Sequence, residues 1–229
     1  MIPTLDDSIR EGERLLALVD GEFPRTFTTK ERRAALLWAY LGRAAGLFRS
    51  MLTLARAQQT DAIAVLYRTL LEAWLHGAYL AVGGEEALAV IEVETDRQAV
   101  KIAAVLDIAA VRQTEGEKRL SVDELAKKLR VSLADDFPTR AYDNHYRVTS
   151  FHDAHGHLGA LIAYLSESGE AVEVHASKVD PQQLEAIGLF ISMGVSLVGG
   201  LANLVSDNTA LPIKGLRALL GDWQSRAEG

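Results

Sequence analysis

The chain contains no cysteine. That excludes a disulfide framework and any thiolate metal site, and it matches the usage of a reducing cytoplasm. Proline is scarce as well, with five residues among 229, so long stretches run without turn punctuation. Aromatic residues make up only 7%. Leu, Ala and Val supply most of the apolar content, which suits helix packing better than a β-sandwich. The opening MIPTLDDSIREGERLL is acidic and has no apolar signal core, so no secretion signal is expected. No repeat, low-complexity linker or composition break divides the chain. The expectation is a single all-α, cytoplasmic domain over residues 1–229, built as a bundle of long antiparallel helices.

The formal net charge of −7 has the wrong sign for a protein that coats nucleic acid non-specifically. The charge is unevenly spread, however. Arg25, Lys30, Arg32, Arg33, Arg43, Arg49 and Arg56 stand against Glu31 alone, and Glu85, Glu86, Glu92, Glu94 and Asp96 follow as an acidic run. The basic stretch is either a solvated helix face or a surface for an anionic ligand.

Caps and breakers divide the chain into helices at 4–20, from Thr28 or Thr29 to about 57, 62–82, 85–112, a short one opened by the Ser-x-x-Glu box of SVDE to about 130, 139–167, about 181–206, and one after Pro212. Gly83-Gly84 ends the third. GEAVEVHASKVD, 169–180, alternates like a strand but has no evident partner, and reads as a loop or a lone short strand.

Residues 186–205, AIGLFISMGVSLVGGLANLV, carry no charge and are long enough to span a bilayer. Glu185 and Asp207 flank them without a basic anchor. Gly188, Ser192, Ser196 and Gly200 recur every four residues, a stripe that lets another helix backbone approach. A buried core or dimer helix is therefore expected rather than a membrane span, and the chain is expected to form a homodimer.

The helix at 62–82 is apolar nearly all round, which marks it as central. Its exceptions are Arg68, Glu72 and His76, four residues apart and so on one face. Arg68 and Glu72 are placed to pair. Buried charges need partners, so the stripe either laces the core together or forms the wall of a pocket.

The segment YRVTSFHDAHGH, 146–157, holds His152, His155 and His157. Their spacing does not give the i, i+4 pair that helix-borne zinc favours, and no His-Glu-x-x-His motif occurs, so neither a metal nor another cofactor is expected. Ser150 lacks a nucleophile elbow. Histidine moves protons near neutrality and arginine grips phosphate oxygens. Arg147 with His152 or His155 could therefore serve acid–base chemistry on a phosphate. The competing reading has these histidines bonding Arg68 or Glu72 and locking two helices.

The Arg-Val-Thr-Ser-Phe-His stretch in an all-α chain resembles the Arg-x(4–6)-His motif of HEPN domains (higher eukaryotes and prokaryotes nucleotide-binding). Many of those are dimeric, metal-independent endoribonucleases. AVLYRTLLEAW at 64–74, followed by YRVTS…DAHG at 146–156, is also similar to a family of uncharacterised bacterial helical proteins, over residues 35–205. The first resemblance implies a HEPN-like bundle that binds RNA or a nucleotide, with Arg147 and His152 catalytic. It further implies a role in a defence or toxin system. The second implies Arg68, Glu72, Ser150 and His155 as signature positions. The alternative to both activities is a non-catalytic helical dimerisation or protein-interaction module.

Overall fold

The computed structural model describes residues 4–24, 26–59, 62–105, 121–147, 165–168, 171–174 and 183–228. It is all-α apart from one short hairpin. Helix α1 (Leu5–Glu22) starts at Thr4, whose side chain accepts from the Asp7 amide. A 3₁₀ turn (Thr29–Glu31) leads into α2 (Arg32–Arg56), and the Thr28–Glu31 capping box sets that start. Next comes α3 (Ile63–Val105), then α4 (Val122–Leu133) behind the Ser121–Glu124 capping box. Ala134, in the left-handed conformation, ends α4. A short α5 (Phe137–Ala141) runs into a π-helical turn (Tyr142–Tyr146). Strands β1 (Leu165–Ser168) and β2 (Ala171–Val174) follow, then α6 (Gln183–Asn208) and α7 (Leu216–Glu228).

The hairpin corrects two expectations. Residues 165–167 are strand rather than helix, and the alternating AVEV is not a lone strand, because Leu165 pairs with Val174 and Ser168 with Ala171. The break at Gly83-Gly84 is as expected. Gly84 sits at φ 59° and ψ −137° inside α3, a conformation reserved for glycine, and the helix resumes beyond it.

Cross-contacts give the helix directions. Tyr40 meets His76 and Arg33 meets Leu80, so α2 and α3 run antiparallel. Arg49 pairs with Asp20 and Arg56 with Glu13, so α1 also opposes α2. Tyr67 touches Phe190, and a Cβ at Gly77 would touch Leu201, which lays α6 parallel to α3. One hydrophobic cluster joins α1, α2, α3, α4, α6 and α7, with Trp38, Tyr67, Phe48 and Met51 among its fully buried members. Each such large side chain contributes about 1.5–3 kcal/mol by leaving water.

Ile187–Asn208 is apolar and long enough to cross a membrane by composition, yet 56% of its window is buried inside the bundle, and it is the one such helix among the described residues. The tightest approaches on α6 lie off the four-residue stripe, although a Cβ at Gly188 would stand 4.0 Å from Leu5 Cα and one at Gly200 3.5 Å from Trp74 Nε1. A Cβ at Gly194 would stand 2.5 Å from the Phe48 ring and one at Gly199 would stand 2.4 Å from Leu220. Ser196, by contrast, is exposed.

The basic face of α2 is largely engaged within the molecule. Arg32 pairs with Glu92 of the acidic run at 2.9 Å, Arg49 with Asp20 at 2.7 Å and Arg56 with Glu13 at 2.5 Å. Arg33 donates to the Leu80 carbonyl at 3.3 Å, the Ala81 carbonyl at 2.7 Å and Asn208 Oδ1 at 3.0 Å. Leu80 and Ala81 lie in the last turn before the Gly84 break, where carbonyls lose their helical partners and the dipole favours a cation. Arg33→Ala should cost about 1.5–3 kcal/mol in urea unfolding. Arg33→Lys should recover only part of that, because a point charge cannot reproduce the fork.

Candidate functional site

Helix α3 buries Tyr67, Leu70, Leu71, Trp74, Leu75 and Ala78, and this leaves Val65, Arg68, Thr69, Glu72 and His76 on its open side. The stripe expected from the sequence is thus one face of a central helix, and it is only half covered. The Arg68 side chain is 26% exposed and that of Glu72 34%.

The partner of this stripe is Tyr146, at the end of the π-helical turn. Its hydroxyl donates to Glu72 Oε1 at 2.7 Å and accepts from Arg68 Nη2 at 2.9 Å. The guanidinium carbon stands 4.7 Å from the Tyr146 ring centroid, a cation–π contact. Arg68 and Glu72 themselves approach to 3.6 Å, so the phenol bridges the ion pair more than the two charges meet directly. Tyr142 stacks on Tyr146 with centroids 5.3 Å apart and planes 19° from parallel. That stack joins residues i and i+4 within the π turn, a local distortion that occurs often at functional sites.

Burial pushes the Tyr146 hydroxyl above its ordinary phenol range. The bond from Arg68 pulls it back, while Glu72 pushes the same way as burial. Its folded value therefore lies above its unfolded one. The stabilisation it gives is complete below the ordinary phenol pKa and is lost as the pH climbs through the raised value. At neutrality Tyr146 is a phenol that can donate, and Glu72 accepts from it.

His76 closes the stripe. Its Nδ1 lies 2.8 Å from the Glu72 carbonyl, which can only accept, so that nitrogen carries a hydrogen. The ring stacks on Tyr40 of α2, with centroids 6.2 Å apart. His76 is thereby held by its own helix and by α2.

Within this wall several groups remain unengaged among the described residues. Arg68 Nε is buried and makes no hydrogen bond. Arg68 Nη1 and Glu72 Oε2 likewise have no hydrogen-bond partner among the described residues. Buried donors of this kind are uncommon and call for an explanation.

Arg147, one residue past Tyr146, is 68% exposed and meets Asp143 at 3.4 Å. Adjacent helical residues do not face one another, and Arg147 makes no hydrogen bond or ion pair with Arg68 or Glu72. Ser150, His152, His155 and His157 lie outside the described residues. Among the described residues no cluster of three or more His, Asp or Glu is placed to hold a metal. Among the described residues, surface clefts of 510, 320 and 520 Å³ are lined by residues other than these.

Helical periodicity puts Arg68, Glu72 and His76 on one face but does not reveal Tyr146, which heads the histidine-bearing segment 146–157. The signal that could have found it is the Tyr142/Tyr146 spacing, a pair of aromatics one turn apart before the arginine. No family model, curated protein or solved structure matches the chain.

Proposed function

We propose that this chain is a HEPN-like protein that binds a nucleotide or a short single-stranded RNA against the wall formed by Arg68, Glu72 and Tyr146. The observation that supports this reading is the incompletely engaged guanidinium of Arg68. It is tethered on one side by a tyrosine face and hydroxyl, while a buried N–H lacks a partner and a quarter of the side chain is open. A rigid structural strut would use its donors inside the protein. Arg147, exposed and next in the chain, is the cation at the rim for a phosphate.

The internal pairing of the α2 arginines narrows the ligand. A long duplex or strand needs a row of available cations, and Arg32, Arg33, Arg49 and Arg56 are all engaged. The ligand is small, and its affinity falls only shallowly with salt.

The experiment is a calorimetric titration of nucleoside monophosphates and a five-residue RNA at two salt concentrations, with RNA cleavage followed in parallel. Saturable binding is expected, with a log–log salt slope of about 1 in magnitude. Absence of binding by any of these ligands overturns the reading. In its catalytic form, which the HEPN resemblance implies, Arg147 steadies the phosphate and His152 or His155 moves the proton. Cleavage that survives both His152→Ala and His155→Ala removes that form.

A second reading is the non-catalytic dimerisation or interaction module in the cytoplasm. It is favoured by Leu189 on α6 and Val65 on α3, apolar residues 46% and 37% exposed. It requires no ligand, so nucleotides would then leave the melting temperature unmoved.

A further inference from the structure

Resting on the nucleotide reading above, we propose that Arg68 and Glu72 recognise the edge of a guanine base, so that the wall is a base-reading seat and not the phosphate seat. A phosphate seat concentrates positive charge. Here the guanidinium stands 3.6 Å from a carboxylate, the pair is neutral in sum, and the carboxylate repels an anion brought to the same spot. What the pair offers is a set of N–H donors beside carboxylate acceptors. Glu72 Oε1 accepts from Tyr146, while Oε2 has no hydrogen-bond partner among the described residues. An ionised carboxylate has about four lone-pair sites, so it can take two further donors. Arg68 uses Nη2 toward Tyr146 and keeps Nη1 unengaged.

The four bases differ in the order of groups along their pairing edge. Guanine presents an acceptor, O6, followed by two donors, N1–H and the 2-amino group. Uracil runs acceptor, donor, acceptor, and cytosine donor, acceptor, acceptor. Adenine offers one amino donor beside a ring nitrogen. An arginine next to a carboxylate matches guanine's order, with O6 on the guanidinium and two parallel N–H groups on the carboxylate. Uracil sets an acceptor against the carboxylate beside its one N–H, and adenine and cytosine bring a single amino group to it, so each makes one fewer hydrogen bond to Glu72 than guanine does. The Tyr146 ring is itself occupied, with the Arg68 guanidinium 4.7 Å from its centroid and the Tyr142 ring stacked on it at 5.3 Å. Tyr146, by bonding both Arg68 and Glu72, fixes the distance between the donor and the acceptor.

The test is calorimetric titration of the wild-type protein with GMP, AMP, CMP, UMP and ribose 5-phosphate. A five-residue oligouridylate with and without one central guanosine forms a second arm. GMP is expected to bind about tenfold or more tightly than the other three nucleotides. The oligomer arm shows whether the guanine is taken from a free nucleotide or from RNA, and a preference in either arm supports the seat. Glu72→Gln replaces an acceptor with a donor, so it should erase the preference for GMP over AMP while circular dichroism still reports a folded helix bundle. Equal binding of all four nucleotides overturns the guanine seat and leaves the nucleotide reading standing. If neither the nucleotides nor ribose 5-phosphate binds, both fall. A preference that survives in folded Glu72→Gln also overturns the assignment.

Discussion

Phe48→Ala should destabilise the fold by about 3–5 kcal/mol, and Gly194→Ala should destabilise it too, although alanine is the better helix former. Phe48 is fully buried on α2, where α1 and α6 converge. A Cβ at Gly194 would lie 2.5 Å from Phe48 Cε2 and 2.7 Å from Cδ2, while one at Gly12 would lie 2.8 Å from Cζ. The ring is boxed by two helix backbones and has no flexible end with which to yield. Forcing a methyl group into such a site costs about 1–3 kcal/mol, against a helix-propensity gain of about 1 kcal/mol. The net loss at Gly194 is therefore smaller than at Phe48 but of the same sign. The diagnostic feature is coupling. In a Phe48→Leu background the Gly194→Ala penalty should shrink, giving a less-than-additive double-mutant cycle in urea unfolding. Gly221 on α7 provides the control. A Cβ there meets nothing within 4 Å, so Gly221→Ala should stabilise by about 0.4–1 kcal/mol. If Gly194→Ala stabilises as Gly221→Ala does, α6 does not pack on Phe48 as described.

Arg68→Met should lower nucleotide affinity by about tenfold or more while leaving a folded protein. Methionine keeps the aliphatic stem and removes the fork that faces Tyr146. The structural cost combines one charge-assisted hydrogen bond with one cation–π contact. Because a quarter of the side chain is open to solvent, the sum is reduced to about 1–2 kcal/mol. Tyr146 keeps its bond to Glu72, so the phenol is not stranded. Arg68→Lys should restore charge but little affinity, since the ammonium lacks the planar fork. A strut with no ligand behaves differently. In that case the stability loss dominates, and binding by the wild type is absent to begin with. Melting temperature and affinity measured on the same three proteins separate the cases.

Helix starts were legible in the sequence wherever a local device sets them. Ser121 with Glu124 forms the box its spacing announces, Thr28 of the two threonines offered as caps sets the start before α2 through a box with Glu31, and Gly84 breaks α3 at a positive φ. The β1–β2 hairpin was half legible. AVEV alternates, but its partner LSES carries almost no apolar pattern. The small-residue stripe was legible in part: a Cβ at Gly188 would stand 4.0 Å from the Leu5 backbone of α1, but spacing alone cannot say which face meets a bulky side chain. Gly194 and Gly199 do so opposite Phe48 and Leu220. For the site, periodicity put Arg68, Glu72 and His76 on one face, since that depends only on helical geometry. It could not supply Tyr146, which reaches Glu72 across 74 residues of sequence. The fate of the α2 arginines was equally non-local, because Arg33 finds its acceptors at Leu80, Ala81 and Asn208.

The most direct test of the central claim, that the half-open Arg68–Glu72–Tyr146 wall receives a ligand, is nuclear magnetic resonance of the arginine side chains during titration with GMP. Arg68 Nε–H starts buried and unbonded, so its resonance should move saturably, with the dissociation constant found by calorimetry, and the shift should vanish in Arg68→Met. Saturable movement of other arginines with the Arg68 signal unchanged, or no movement at millimolar nucleotide, would contradict the account.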